Sequence, residues 1–176
     1  MRIYIVEDDI SVISILEDIV ERNNLGTVCG DSDGEVADVE QILALDPDLV
    51  LIDLLMPEKD GIEVVRELKQ AGCAAKFVML SQVSDKDMIA KAYTAGVEFF
   101  IQKPINLIEV RQVVGNVKRE IENERALKAI QQVFIQRQEP TPKQESSQRE
   151  QRRLKLILSH LGMAERRARR TLCRCV

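Results

Sequence analysis

The chain has 176 residues, 45% of them hydrophobic and 31% charged, which allows one full domain and a remainder but not two large domains. Its net charge of −4 hides an asymmetry: 9 Lys and Arg stand against 21 Asp and Glu through Ile105, and 16 against 8 from Asn106 onward, giving −12 and +8. No signal-peptide pattern or bilayer-length apolar run is present, so a soluble, cytoplasmic protein without a membrane partner is expected.

The predicted elements alternate between short apolar runs and helical patterns. Residues 3–6 read as a strand, and Val12, Ile13, Leu16, Ile19 and Val20 recur at helical spacing until Asn23 and Gly26 break the pattern. Residues 27–29 form a second strand, followed by a helix over about residues 34–45. Residues 49–53, L-V-L-I-D, read as a buried parallel strand that delivers Asp53 to its C-terminal end. Pro57 stops that strand, and Asp60-Gly61 supplies a turn and a helix start. Ile62, Val65 and Leu68 mark a helix ending near Gly72, and residues 77–80 a fourth strand. Residues 85–94 form a short helix capped by Asp85 or Ser84, and residues 97–101 a fifth strand. Five strand–helix units with right-handed crossovers predict an α/β fold, a flavodoxin-like (βα)5 doubly wound parallel sheet of order 2-1-3-4-5.

From Asn106 the last helix runs on. Leu107, Val110, Val114, Val117 and Ile121 repeat at three and four, and after a slip Leu127, Ile130 and Phe134 continue. No Gly or Pro falls between residues 116 and 139, so the last helix is expected to run about nine turns. The apolar stripe on its distal half needs a partner: a parallel coiled coil between two subunits, or a downstream domain. Pro140-Thr141-Pro142 ends the helix, and the polar residues up to 151 read as a linker. Leu154, Ile157, Leu158 and Leu161, interleaved with Arg152, Arg153 and Lys155, make one more amphipathic stretch closed by Gly162. Residues 164–176 lack a periodic apolar face, so an output domain that begins near Arg149 and is cut off or frame-altered is expected, with a genuine basic tail as the alternative. The basic balance of this part suggests an anionic partner such as nucleic acid, against a plain solvated tail. Cys29, Cys73, Cys173 and Cys175 form no C-x-x-C pair and His160 is the single His, which argues against structural zinc and for free thiols.

In a parallel sheet the strand ends share one edge. Glu7, Asp8 and Asp9 follow the first strand, Asp53 ends the third, Ser81 follows the fourth and Lys103-Pro104 the fifth. Carboxylates, a hydroxyl and an amine gathered there suit a divalent cation and a phosphoryl group. A helix-capping aspartate and a surface lysine are the plainer readings of Asp53 and Lys103 taken singly. The absence of a glycine-rich loop after the first strand argues against dinucleotide binding.

Together, V-E-D-D, D-L-L-M-P-E-K-D-G, L-S and K-P after successive strands resemble the receiver domain of two-component response regulators, over residues 1 to about 115. The resemblance implies a signalling protein rather than an enzyme, with a sensor histidine kinase as partner and Asp53 as phosphoacceptor. It implies Mg2+ as cofactor, held by Glu7, Asp8, Asp53 and the backbone carbonyl of Leu55, with Asp9 left as solvent-facing charge. Lys103 would pair with a phosphoryl oxygen, aimed by Pro104 as a cis-proline. Ser81 would donate its hydroxyl and move, Phe100 would follow as the aromatic switch, and Phe99 would be core or interface surface. The face of helix four, strand five and helix five would change shape, and with the extended helix would form a homodimer. The implied layout is a receiver domain over 1–115, a helical extension or coiled coil over 116–139, a linker over 140–151 and a truncated or incomplete output region over 152–176 that meets DNA and regulates transcription.

Two departures stand out. Gln82 replaces the usual small residue, which alters donor access or hydrolysis, and Leu55 and Val83 cannot orient an attacking water, so slow loss of phosphate is expected. The runs L-S-Q-V-S-D-K-D and F-F-I-Q-K-P-I-N are also similar to a subgroup of regulators associated with transcriptional control of glutamine use. A stand-alone receiver acting as an interaction switch or phosphorelay intermediate is the alternative. A metal-dependent phosphohydrolase is a third reading, lacking any extra acid–base group.

Overall fold

The computed structural model describes residues 1–33, 38–57, 59–82, 85–138, 150, 152, 153, 155 and 156. The expected helix start at residue 34, the Ser84 cap, Val83, the Pro140-Thr141-Pro142 break, the linker apart from Glu150, the leucines of the last amphipathic stretch, His160, Cys173 and Cys175 lie outside the described residues. The chain divides into two compact units, Met1–Arg125 and Ala126–Val176.

Five strands and five helices alternate: β1 Arg2–Val6, α1 Ile10–Arg22, β2 Thr27–Ser32, α2 Asp38–Leu45, β3 Leu49–Asp53, α3 Gly61–Gln70, β4 Lys76–Ser81, α4 Lys86–Ala95, β5 Phe99–Gln102 and α5 Leu107–Gln138. All pairings are parallel and the sheet order is β2-β1-β3-β4-β5, the order expected from the sequence. β3, with all five residues buried, is central because a continuous apolar run must be covered on both faces.

Strand alternation divides the core into two layers. Ile3, Ile5, Leu49, Leu51, Val78, Leu80 and Ile101 pack on one face against α1 and the first turns of α5. Tyr4, Val6, Val50, Ile52, Phe77 and Met79 pack on the other against α2, α3 and α4. Each buried aliphatic side chain contributes about 1.5–3 kcal/mol, so the two layers carry most of the fold.

Several boundaries differ from the expected ones. β5 begins at Phe99 rather than residue 97, because the Val97 N–H is spent on the Ala92 carbonyl in closing α4 around Gly96, which has φ +109°. β2 extends to Ser32 rather than stopping at Cys29; it is an edge strand, whose polar residues gave no apolar signal. A register shift between Ile3 and Tyr4 lets Gly30 sit opposite Tyr4, where a Cβ would meet the Tyr4 ring at 2.7 Å. On α5, Val110, Val114, Val117 and Ile121 are buried, whereas Leu107 is 49% exposed, so the buried stripe starts one turn later than its spacing suggested.

At the opposite edge of the sheet from the strand C-termini, Lys76 Nζ lies 3.2 Å from Glu98, 3.1 Å from Glu120 and 3.1 Å from Glu124, tying α5 to the start of β4. Arg125 pairs with Asp48, which also accepts the Arg2 N–H at 2.7 Å. In the second unit, Leu127, Ile130, Val133, Phe134 and Ile135 of α5 are exposed. Among the described residues no helix is long and apolar enough to cross a membrane.

Candidate functional site

The alternation that sends Ile3 and Ile5, Leu49 and Leu51, and Phe99 and Ile101 to one face continues one step past each of these runs to Glu7, Asp53 and Lys103. Their charged groups meet. Lys103 Nζ donates to Glu7 Oε1 at 2.9 Å and lies 2.8 Å from Glu7 Oε2 and 3.1 Å from Asp53 Oδ2. Glu7 is only 1% exposed and Asp53 5%.

Asp8 completes the cluster, since Glu7, Asp8 and Asp53 each offer a carboxylate oxygen within 4.8 Å of the others. Asp8 is exposed and opens the cluster to solvent. Glu7 Oε2 is buried and, although close to the Lys103 amine, makes no directed hydrogen bond. A buried oxygen without a directed donor, inside a set of three hard oxygen ligands, fits a small divalent cation.

The electrostatics favour such a guest. Burial pushes the Glu7 carboxyl above the usual range, and the neighbouring Asp53 charge adds to this against the pull of Lys103. Burial likewise raises Asp53, opposed by Lys103 and by the backbone N–H groups of Leu55 and Leu54. Burial draws the Lys103 amine down, but its hydrogen bonds to Glu7 and Asp53 outweigh that and leave it raised.

Backbone geometry holds Asp53 in place. Gly61 donates its N–H to the Leu54 carbonyl at 3.0 Å, and a Cβ at Gly61 would stand 2.1 Å from the Asp53 carbonyl oxygen. Asp60 caps α3 by accepting the Glu63 N–H at 2.8 Å. The sequence marked this pair as turn chemistry, but the close approach of α3 to β3 has no signature beyond the glycine itself.

Asp9 is not only solvent-facing charge. It is the N-cap of α1, accepting the Ser11 N–H at 2.8 Å, and that hydrogen bond holds its carboxyl below the usual range. An Asp directly before a helical apolar pattern was the available signal.

Ser81 is buried at the end of β4, one residue beyond Leu80, the β4 partner of Asp53, and its carbonyl accepts the Lys103 N–H at 2.9 Å. Lys103-Pro104 is a cis peptide. The Leu55 and Gln82 side chains are exposed beside the cluster. Phe100 is not part of it: it sits half-buried on the α3/α4 face of the sheet, while Phe99 packs on the α1/α5 face.

The response regulator receiver domain family matches residues 3–115. The chain is 40% identical over 169 residues to the transcriptional regulatory protein GlnL of Bacillus subtilis, covering 93% of this chain and 54% of that protein, so it spans about half the length of that relative. It is 34% identical over 114 residues to the chemotaxis protein CheY of Bacillus subtilis, covering 65% of this chain and 94% of CheY. The signal receiver domain of NarL from Mycobacterium tuberculosis superposes with a TM-score of 0.63 at 21% identity, covering 67% of this chain and 95% of that one.

Proposed function

This chain belongs to the response regulator receiver domain family, and from that premise we propose that it is a phosphorylation-controlled response regulator with Asp53 as phosphoacceptor. The observation that carries the reading is the clasp of Lys103 on both Glu7 and Asp53 beside Asp8. A carboxylate oxygen of Asp53 attacks the phosphorus of a phosphohistidine on a sensor histidine kinase. The P–N bond breaks, its electron pair returns to the imidazole nitrogen, and Asp53 becomes an acyl phosphate. Lys103 pairs with a phosphoryl oxygen, and the Ser81 hydroxyl donates to another. Glu7, Asp8, Asp53 and the Leu55 carbonyl would hold Mg2+, which would offset the charge of the carboxylates and of the transferred group.

The output acts on transcription. The likeness to GlnL, a transcriptional regulatory protein, runs over 169 residues and so past residue 115, which supports an output region after the receiver. The layout is a receiver over 1–115, a helical extension that follows it and a DNA-directed output region beyond that. Exposed Tyr93 on α4, and exposed Leu107, Ile108, Leu127, Ile130 and Phe134 on α5, support a homodimer through the α4/β5/α5 face and the extended helix.

The test is intact mass with light scattering, before and after treatment with Mg2+ and acetyl phosphate, for wild type and Asp53→Ala. One added phosphoryl group in wild type alone, with a changed dimer fraction, is the expected result. A wild type that never gains the mass overturns the phosphoacceptor reading. A mass gain with an unchanged dimer fraction removes only the coupling to assembly.

A further inference from the structure

Phe100 lies directly opposite Met79 in the β4–β5 pairing, and Ser81 lies opposite Gln102. Residues two apart on a strand share a face, so Ser81 is the diagonal cross-strand neighbour of Phe100. From α4, Tyr93 meets the Phe100 ring edge to face, with centroids 5.2 Å apart and planes at 63°. Tyr93 is itself 53% exposed.

α4 has few other anchors. Ala92 is its one buried residue, and Met88 and Ala95 are partly buried against the same layer. An element with so few apolar contacts shifts at low cost. The ring pair is therefore one of the contacts that fix α4 against β5.

We propose that Tyr93 is a positioning residue for the switch, whose ring holds Phe100 on the α4 side of the sheet and opposes its inward turn toward Ser81. This rests on the reading of Asp53 as phosphoacceptor and Phe100 as the aromatic switch. An inward turn separates the two rings, so the contact exists in one state only and biases the equilibrium toward it. An edge-to-face aromatic pair is equivalent to about 2- to 10-fold in such an equilibrium.

The experiment measures the initial rate of Asp53 phosphorylation by acetyl phosphate with Mg2+, followed by intact mass on the full chain. Wild type, Tyr93→Leu and Tyr93→Phe are compared, each with and without Phe100→Leu. Tyr93→Leu is expected to accelerate uptake about 2- to 10-fold, and Tyr93→Phe, which keeps the ring, to stay near wild type. In the Phe100→Leu background the effect of Tyr93→Leu is expected to vanish, which a role in folding alone would not produce. A Tyr93→Leu rate equal to wild type, or an acceleration that persists without Phe100, overturns the proposal while leaving Asp53 in place. A folded wild type that takes up no phosphoryl group is a separate result, which overturns the reading of Asp53 and this proposal with it.

Discussion

Lys103 and Lys76 sit at opposite ends of the same sheet, and each faces more than one carboxylate. At the strand C-termini, Lys103 meets Glu7 and Asp53 in a buried cluster, where burial holds both carboxyls above their usual range. At the other end, Lys76 meets Glu98, Glu120 and Glu124, all partly exposed. Burial draws the Lys76 amine down, but hydrogen bonds to Glu124, Glu120 and Glu98 outweigh it and hold the amine well above its usual range. The same chemistry therefore anchors a helix at one end and leaves an imbalance at the other. The difference is solvent: water screens the three glutamates around Lys76, whereas Glu7 and Asp53 need a cation or a proton to relieve them.

The largest expected effect separates the two lysines by function. Lys103→Met should slow phosphoryl uptake from acetyl phosphate by about 100-fold, the scale of losing one preorganised charge-stabilising donor, while Lys76→Met leaves the rate unchanged. Initial rates of mass gain measure both, and equal rates for the two variants would erase the distinction.

Next is the backbone that seats Asp53. Gly61→Ala forces a methyl group against the Asp53 carbonyl and should cost about 1–3 kcal/mol in urea unfolding, as overpacking does. An unchanged urea midpoint would mean that α3 can move away from β3.

The buried cluster should also mark itself by pH. Glu7 and Asp53 have folded pKa values above their unfolded ones, so the metal-free folded state binds protons more tightly than the unfolded chain. Stability from these groups is therefore highest below the ordinary carboxylate range, about pH 4, and falls as pH rises through the elevated values. Asp9, whose carboxyl is lowered, works in the opposite direction. Comparison with Asp53→Asn isolates the cluster: as pH rises above the ordinary carboxylate range, its melting temperature should drop less than that of wild type, by ~2–4 °C for each kcal/mol involved. Millimolar Mg2+ should narrow the same gap by stabilising wild type at the higher pH.

The smallest effect belongs to the anchor. Lys76→Met should lose about 1 kcal/mol at neutral pH and low salt, less at high salt, because its partners are partly exposed. Its folded pKa is raised, so the contribution is full below about pH 10.5 and is lost as pH rises through the folded value. Urea midpoints at two ionic strengths measure it.

The sheet order, β3 as the buried centre and the convergence of Glu7, Asp8, Asp53 and Lys103 were legible in the sequence, because strand length, apolar runs and parallel topology determine them. Contacts between distant segments away from the strand C-termini were not. Lys76 joins residues 44 and 48 positions away, and no spacing rule connects them. The late start of β5 was hidden because Val97 is apolar and reads as strand, yet its N–H is claimed by α4. Leu107 kept the helical spacing of Val110 and Val114 but stands one turn before the buried part of the helix. The edge-to-face pair of Tyr93 and Phe100 joins a helix to a strand through a tight cap, beyond the reach of either periodicity.

The two-sided sheet has a consequence for how such a protein can diverge. Glu7, Asp53 and Lys103 extend the rows of the α1/α5 layer, whereas Phe100 and Tyr93 belong to the α3/α4 side. On the proposed reading, the groups that capture a phosphoryl group and the rings that turn it into surface shape lie on opposite faces of one thickness of backbone and communicate where Ser81 stands diagonal to Phe100. Substitutions in α4 away from Tyr93 can retune what the protein displays and leave the charged groups of the cluster in place. A lineage can therefore trade downstream partners while keeping its acceptor chemistry unchanged.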